Sequence, residues 1–200
     1  GEAAGLLDPI KWADAGTGAD LPDPPEKFEL AVVAHPDQLT GSIVAAWRDD
    51  EGRAVLLMLE NKRGVEWLRK AAPAYARKYR TAITYDSASP AIARMVPGWE
   101  RLRSPKPRLQ PRGFMEVKKA ATLIVDEVER GRVVHYRQPE LDEAAKKVVK
   151  RKAGANVWAL GRDPKRPEDD ITPVEAAALA LLAYDEAKPK PATLKGRVTT

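Results

Sequence analysis

The sequence predicts an α/β domain whose mixed sheet opens with a three-strand antiparallel meander. Three observations carry this. Apolar, β-prone runs at 28–34, 42–47 and 54–59 follow one another closely, with turn chemistry at Gly41 and at Asp49-Asp50-Glu51-Gly52 between them. Links that short join antiparallel neighbours. Beyond residue 60, stretches with helical spacing alternate with short strand-like runs, the pattern of helices laid on a sheet.

The elements follow in order. Residues 1–27 are rich in Gly, Ala, Asp and Pro, and Leu21-Pro22-Asp23-Pro24-Pro25 excludes helix and central strand. This reads as a linker or arm with Ile10 and Trp12 as anchors, and its uncapped beginning points to a piece of a longer protein. After the meander, 65–79 has helical spacing through Trp67, Leu68, Ala72, Tyr75 and Ala76, with Pro73 as a bend. A strand at 82–85 ends in Asp86, and 87–95 reads as a short helix. Residues 114–130 form an amphipathic helix, with Val117, Ala121, Ile124 and Val128 on one side and Gly131 as the stop. A strand at 132–136, a basic helix at 141–152 closed by Gly154 and a strand at 156–160 follow. The last helix starts at Thr172-Pro173-Val174-Glu175, with Thr172 at the N-cap and Glu175 as a capping acid, and is apolar nearly all round, so it is buried. Residues 188–200 are polar and Pro-broken and read as a tail. No repeat is visible.

Composition narrows the chemistry. The 200 residues are 44% hydrophobic and 32% charged, enough for one packed domain. No run approaches the ~20 uncharged apolar residues of a membrane span, and without an apolar run after a basic start no secretory signal is expected. With no cysteine, disulfide scaffolds, cysteine zinc sites and thiol nucleophiles are excluded, which fits a reducing interior. With only His35 and His135, a metal would be held by oxygen, favouring Mg²⁺ or Mn²⁺. The net charge of +5 is concentrated: residues 101–119 carry seven basic side chains against Glu116, and 146–166 carry eight against Asp163. Such clusters either line a phosphate-backbone track or form a solvated basic surface. Nucleic acid is the favoured reading, because the clusters coincide with candidate carboxylates.

Asp86 follows a strand directly, and the carboxyl ends of strands in α/β sheets face the ligand crevice. The bland alternative is a turn or cap aspartate. Asp169 and Asp170 precede the buried helix, where capping again competes with function. Carboxylates from separate elements beside basic clusters suit two-metal phosphodiester hydrolysis, with ions ~3.5–4 Å apart. Ser87 and Ser89 have no histidine base nearby in sequence, which disfavours a serine hydrolase. Glu60-Asn61 either adds a ligand or turns the chain, and Trp47, Trp67, Trp99 and Trp158 read as packing.

Several of these motifs together resemble the nuclease domain of tailed-phage large terminases: Asp86-Ser87-Ala88-Ser89-Pro90 after a strand, Val133-Val134-His135-Tyr136-Arg137-Gln138-Pro139-Glu140-Leu141 before a helix, and Asp169-Asp170-Ile171-Thr172-Pro173-Val174-Glu175. The opening Pro9-Ile10-Lys11-Trp12 resembles the stretch joining the packaging ATPase to this domain. The resemblance covers about residues 10–187. It implies a ribonuclease-H-like fold at 28–187 and a Mg²⁺- or Mn²⁺-dependent endonuclease that cuts concatemeric double-stranded DNA during capsid filling. It also implies an ATPase domain on the same chain, a small terminase subunit and a portal as partners, and a location in the host cytoplasm. Asp86 would be the second metal-binding carboxylate and Asp170 the third. The family places an Asp on the first strand, where this sequence has Val33; the nearest acid is Asp37, beyond Pro36. Either Asp37 reaches back, helped by His35, or the site lacks one ligand and the domain is a DNA-holding or assembly module with little cleavage. Arg108, Arg112, Lys146, Lys147, Lys150 and Arg151 would hold the backbone. His135 matches the family's strand-end histidine and reads as a packed one. Another ribonuclease-H-like enzyme, a resolvase or transposase, is a third reading.

Overall fold

A computed structural model describes residues 5–187; the expected tail at 188–200 lies outside the described residues. Strands β1 (Glu29–Ala34), β2 (Thr40–Arg48) and β3 (Ala54–Arg63) form the expected antiparallel meander. Strand β4 (Ile83–Asp86) pairs parallel with β1, β5 (Leu109–Arg112) parallel with β4, and β6 (Val133–His135) parallel with β3. The sheet order is β5-β4-β1-β2-β3-β6. A separate hairpin pairs β7 (Val149–Lys152) with β8 (Trp158–Gly161).

Alternation along the central strands divides the core. Leu30, Val32, Ile43 and Leu57 face α2 (Leu68–Tyr79) and α3 (Pro90–Glu100). Ala31, Val33, Val44 and Leu56 face α4 (Phe114–Glu129) and α6 (Thr172–Glu186). Both layers bury strand faces, so β1 reads as a continuous apolar run rather than an alternating one. Helix ends follow their caps: Ser89 Oγ accepts from the Ile92 N–H ahead of Pro90, and Arg80 closes α2 in the left-handed region.

Four expectations need correction. The segment read as an arm contains a helix, α1 (Pro9–Ala15), capped by Asp8. Of its two expected anchors only Trp12 is buried, stacked 4.2 Å from the His135 ring; Ile10 is 72% exposed. The basic helix ends earlier than expected: α5 covers Pro139–Lys147, and Val149–Lys152 is strand. Strand β5, at the sheet edge within the first basic cluster, carries Pro111, whose missing N–H an edge tolerates. The last helix is not capped by Thr172, which is its first helical residue; Asp170 Oδ1 accepts both the Thr172 N–H and its hydroxyl. At the opposite edge β6 has three residues, and the Gly16 bridge and the Thr17 N–H to His135 carbonyl bond cover it.

Glu29 at the start of β1 is a buried acid whose Oε2 has no hydrogen-bond partner among the described residues. Burial pushes its pKa up, against the attraction of Arg108 and Arg112. A raised carboxylate disfavours folding once it must ionise, so stability is lost as pH rises through the usual carboxylate range. Glu29→Gln is expected to stabilise the domain by about 1 kcal/mol at neutral pH and by nothing at pH 4, as read from urea melts at the two pH values.

Candidate active site

One rim of the sheet gathers the acids. Strands β1 and β4 end there, β2 begins there, and β3 ends there. Continuing the β1–β4 register one step beyond Val32 and Tyr85 sets Asp86 beside Val33. Ile83 and Tyr85 enter the α2/α3 layer, so alternation turns Asp86 to the α4/α6 side, where Val33 also lies. A cavity of about 490 Å³ opens at this point. Val33, Asp37, Asp86, Arg151, Arg162 and Glu175 contribute to its wall. Val117 and Ala120 of α4 and Ala178 of α6 form its apolar side.

Asp86 accepts the Ala88 N–H on Oδ1 and makes no ion pair among the described residues. Asp37 sits exposed in the β1–β2 turn at the rim of the same cavity. Asp170 does not line it. It lies on the flank toward β2 and β3, where Oδ2 accepts from Asn61 Nδ2 at 2.9 Å and Oδ1 holds Thr172. Ser42 joins this network through Thr172 Oγ1 (2.7 Å) and Asn61 (2.9 Å). Asn61, an open choice between ligand and turn residue in the sequence, therefore bonds the expected third carboxylate.

Glu175 is the site residue that sequence reasoning assigned only to capping. It stands one turn into α6, and Arg162 donates to its Oε1 at 3.1 Å. Desolvation pushes its pKa up; Arg162 and Arg151 oppose this, and the negative charge of Asp86 adds to it. A readable signal existed: between Thr172 and Ala183 it is the sole charged residue.

Of the six expected DNA contacts, two flank the cavity. Arg151 lines it from β7, with its guanidinium 6.0 Å from the Phe114 ring. Arg112 pairs with Asp86 in the strand register, and its Nε is buried without a hydrogen-bond partner among the described residues. Arg108 precedes β5 and is exposed, as are Lys146, which pairs with Glu143, and Lys150, which lies 4.7 Å over Trp158. Lys147 lies 4.0 Å from Asp169.

His35 ties the end of β1 to the loop that carries Asp169 and Asp170. Its Nδ1 accepts the Asp37 N–H, so Nε2 carries the proton and donates to the Pro167 carbonyl (2.9 Å). Burial lowers its pKa and the charge of Arg162 does so further, against the Pro167 carbonyl, Asp37 and Asp170. A lowered histidine contributes stability that is present above its ordinary pKa of 6.5 and is lost as pH falls through that value toward the folded one. Urea melts between pH 7.5 and 5 are expected to lose stability more steeply for the parent than for His35→Ala. His135, by contrast, is a packing residue bound through Nε2 to the Trp12 carbonyl.

Among the described residues, no three His, Asp or Glu side chains form a group able to hold an ion unaided. What the cavity offers is Asp86, a carboxylate without an ion pair among the described residues, with Glu175 and Asp37 also in its lining. Mg²⁺ is commonly held by one or two carboxylates together with substrate phosphate. The residues therefore fit a hard cation shared with a phosphate.

No protein-family model and no curated protein matches the sequence. Solved structures do. The large terminase of bacteriophage HK97 aligns with a TM-score of 0.55 at 13% identity, over 90% of this chain and 44% of that one. The chain thus spans less than half of the HK97 protein. The large terminase nuclease of thermophilic phage G20c with bound magnesium aligns at 0.59 and 11% identity, over 92% of this chain and 97% of that one. A mutant nuclease domain of the large terminase from bacterial virus Sf6, with manganese, aligns at 0.56 and 6% identity, over 88% and 98%. The expected ribonuclease-H-like architecture is present, and the chain has the fold of the nuclease domains of phage large terminases.

Proposed function

We propose that this chain is the endonuclease domain of a viral DNA-packaging terminase and cuts concatemeric double-stranded DNA with Mg²⁺ or Mn²⁺. The observation that carries the reading is Asp86: a carboxylate without an ion pair among the described residues, at the carboxyl end of a central strand, in a cavity flanked by Arg151 and Arg112. Asp86 would hold the cation, with Asp37 at the rim, and Asp170 would shape the flank through Asn61 and Thr172. The cation, when bound, supplies Lewis-acid stabilisation of charge developing on the phosphate. Arg151 and Arg112 attract and orient the backbone phosphates, the exposed lysines extend the basic track, and the apolar wall of α4 and α6 limits water. Phosphate contacts carry no base information, so little sequence preference follows. The ATPase domain, the small subunit and the portal belong to this proposal as partners, and the host cytoplasm as its location. No helix of the described residues is long and apolar enough to cross a membrane.

The test is nicking of supercoiled plasmid in Mn²⁺. The expected result is cleavage that a chelator abolishes. Val33 favours a second reading, in which the domain grips DNA and cuts it poorly. That reading expects salt-sensitive DNA binding without nicking.

A further inference from the structure

We propose that Phe114, beside the cavity, is a stacking platform for an unpaired base, so that the domain holds DNA with an opened end more tightly than fully paired DNA. The inference rests on the nuclease reading above and names the form of DNA that the entrance to its site selects.

Among the large apolar side chains exposed in the described residues, Phe114 (42%) and Met115 (61%) are the two that adjoin in the chain. Single exposed apolar side chains are ordinary on a protein surface, so the surroundings of this pair decide its meaning. Cations gather at the ring. Lys118, one turn along α4, holds its Nζ 5.2 Å from the Phe114 centroid, and the Arg151 guanidinium comes from β7 to 6.0 Å. Lys119 is exposed beside Lys118, and Glu116, the acid of this turn, is folded back against Gly113 at the helix start. The patch is continuous with the cavity. Arg151 and Val117 belong to the cavity lining, and Arg112, two residues before the ring, pairs with Asp86 in the strand register. Phosphates that draw Arg151 and Lys118 outward leave the ring face to a base. Aromatic rings stack on any base whose face is free, while cations beside them hold the adjoining backbone. In an intact duplex the neighbouring pairs cover both faces of a base, whereas an unpaired base at an opened end presents one. Met115, unbranched and polarizable, packs against the same base.

A blunt duplex and a duplex of the same length with mismatched terminal pairs carry equal numbers of phosphates, so backbone contacts alone bind the two about equally. Fluorescence anisotropy of both, with the 200-residue chain in a chelating buffer where nothing is cut, reads the preference. The expected result is that the parent binds the opened duplex at least about fivefold more tightly, that Phe114→Tyr keeps this ratio, and that Phe114→Leu brings the two affinities within about twofold of each other. Leucine keeps apolar bulk and removes the ring, and circular dichroism confirms that each variant is folded. Equal binding of the two duplexes by the parent, the outcome expected if the patch seats a protein instead, overturns the inference. So does a preference that Phe114→Leu retains or Phe114→Tyr loses. In each of these cases plasmid nicking by the parent leaves the nuclease reading intact. If the parent neither binds DNA nor nicks plasmid, the nuclease reading falls and the inference with it.

Discussion

Asparagine at position 86 is expected to lower plasmid nicking by about two to three orders of magnitude, the scale on which one electrostatic partner of a reacting phosphate counts. The fold should be nearly indifferent to the change. Asp86 accepts one local bond, from the Ala88 N–H, and an asparagine Oδ1 can take it. No ion pair is broken among the described residues. Surface changes of this kind stay within ~0.5 kcal/mol, so the melting temperature should move by about 2 °C at most. Parallel melts and nicking assays of parent and variant therefore separate chemistry from stability. Nicking that survives in a folded Asp86→Asn protein would remove Asp86 from the reaction.

The larger effect on stability is expected at Asp170. Its carboxylate accepts the Thr172 N–H, the Thr172 hydroxyl and Asn61 Nδ2, which joins the start of α6 to the rim of β3. Truncation to alanine deprives the Thr172 N–H and hydroxyl of their acceptor at the start of α6 and removes one acceptor of the Asn61 amide, which keeps Ser42. The expected loss is about 2–3 kcal/mol, or roughly 5–10 °C in melting temperature. Asp170→Asn keeps an acceptor for Thr172 and should lose about 1 kcal/mol. Thermal melts of the two variants decide this, and equal losses would contradict the hydrogen-bond account.

The parts of the fold legible in the sequence are those whose burial is written locally. The meander, α4 and α6 each carry an apolar pattern long enough to set its own period. The parts that were not legible depend on pairing. Lysine and arginine are good helix formers, so Lys150-Arg151-Lys152 reads on from α5; only the register with β8 makes it strand. Leu109–Arg112 has a proline and an arginine in four residues and becomes β5 because β4 offers a parallel partner. Trp12 was legible as an anchor, but its helix is too short to show a period. At the site, Asp86 was marked by its place after a strand. Glu175 was hidden because an acid in a first helical turn already has an ordinary explanation. Asp170 lies two residues before that helix, and its carboxylate ties it to Thr172.

The two margins of the sheet have a further consequence. One is β5, four residues long with Pro111; the other is β6, three residues long and already bridged by Gly16. Neither presents a long free ladder of amides and carbonyls, so a strand from another copy finds no template for extending the sheet or seeding a fibril. Contacts that this domain makes with neighbouring proteins must then be built from side chains and loops, where a few substitutions can retune them without disturbing the strands beneath.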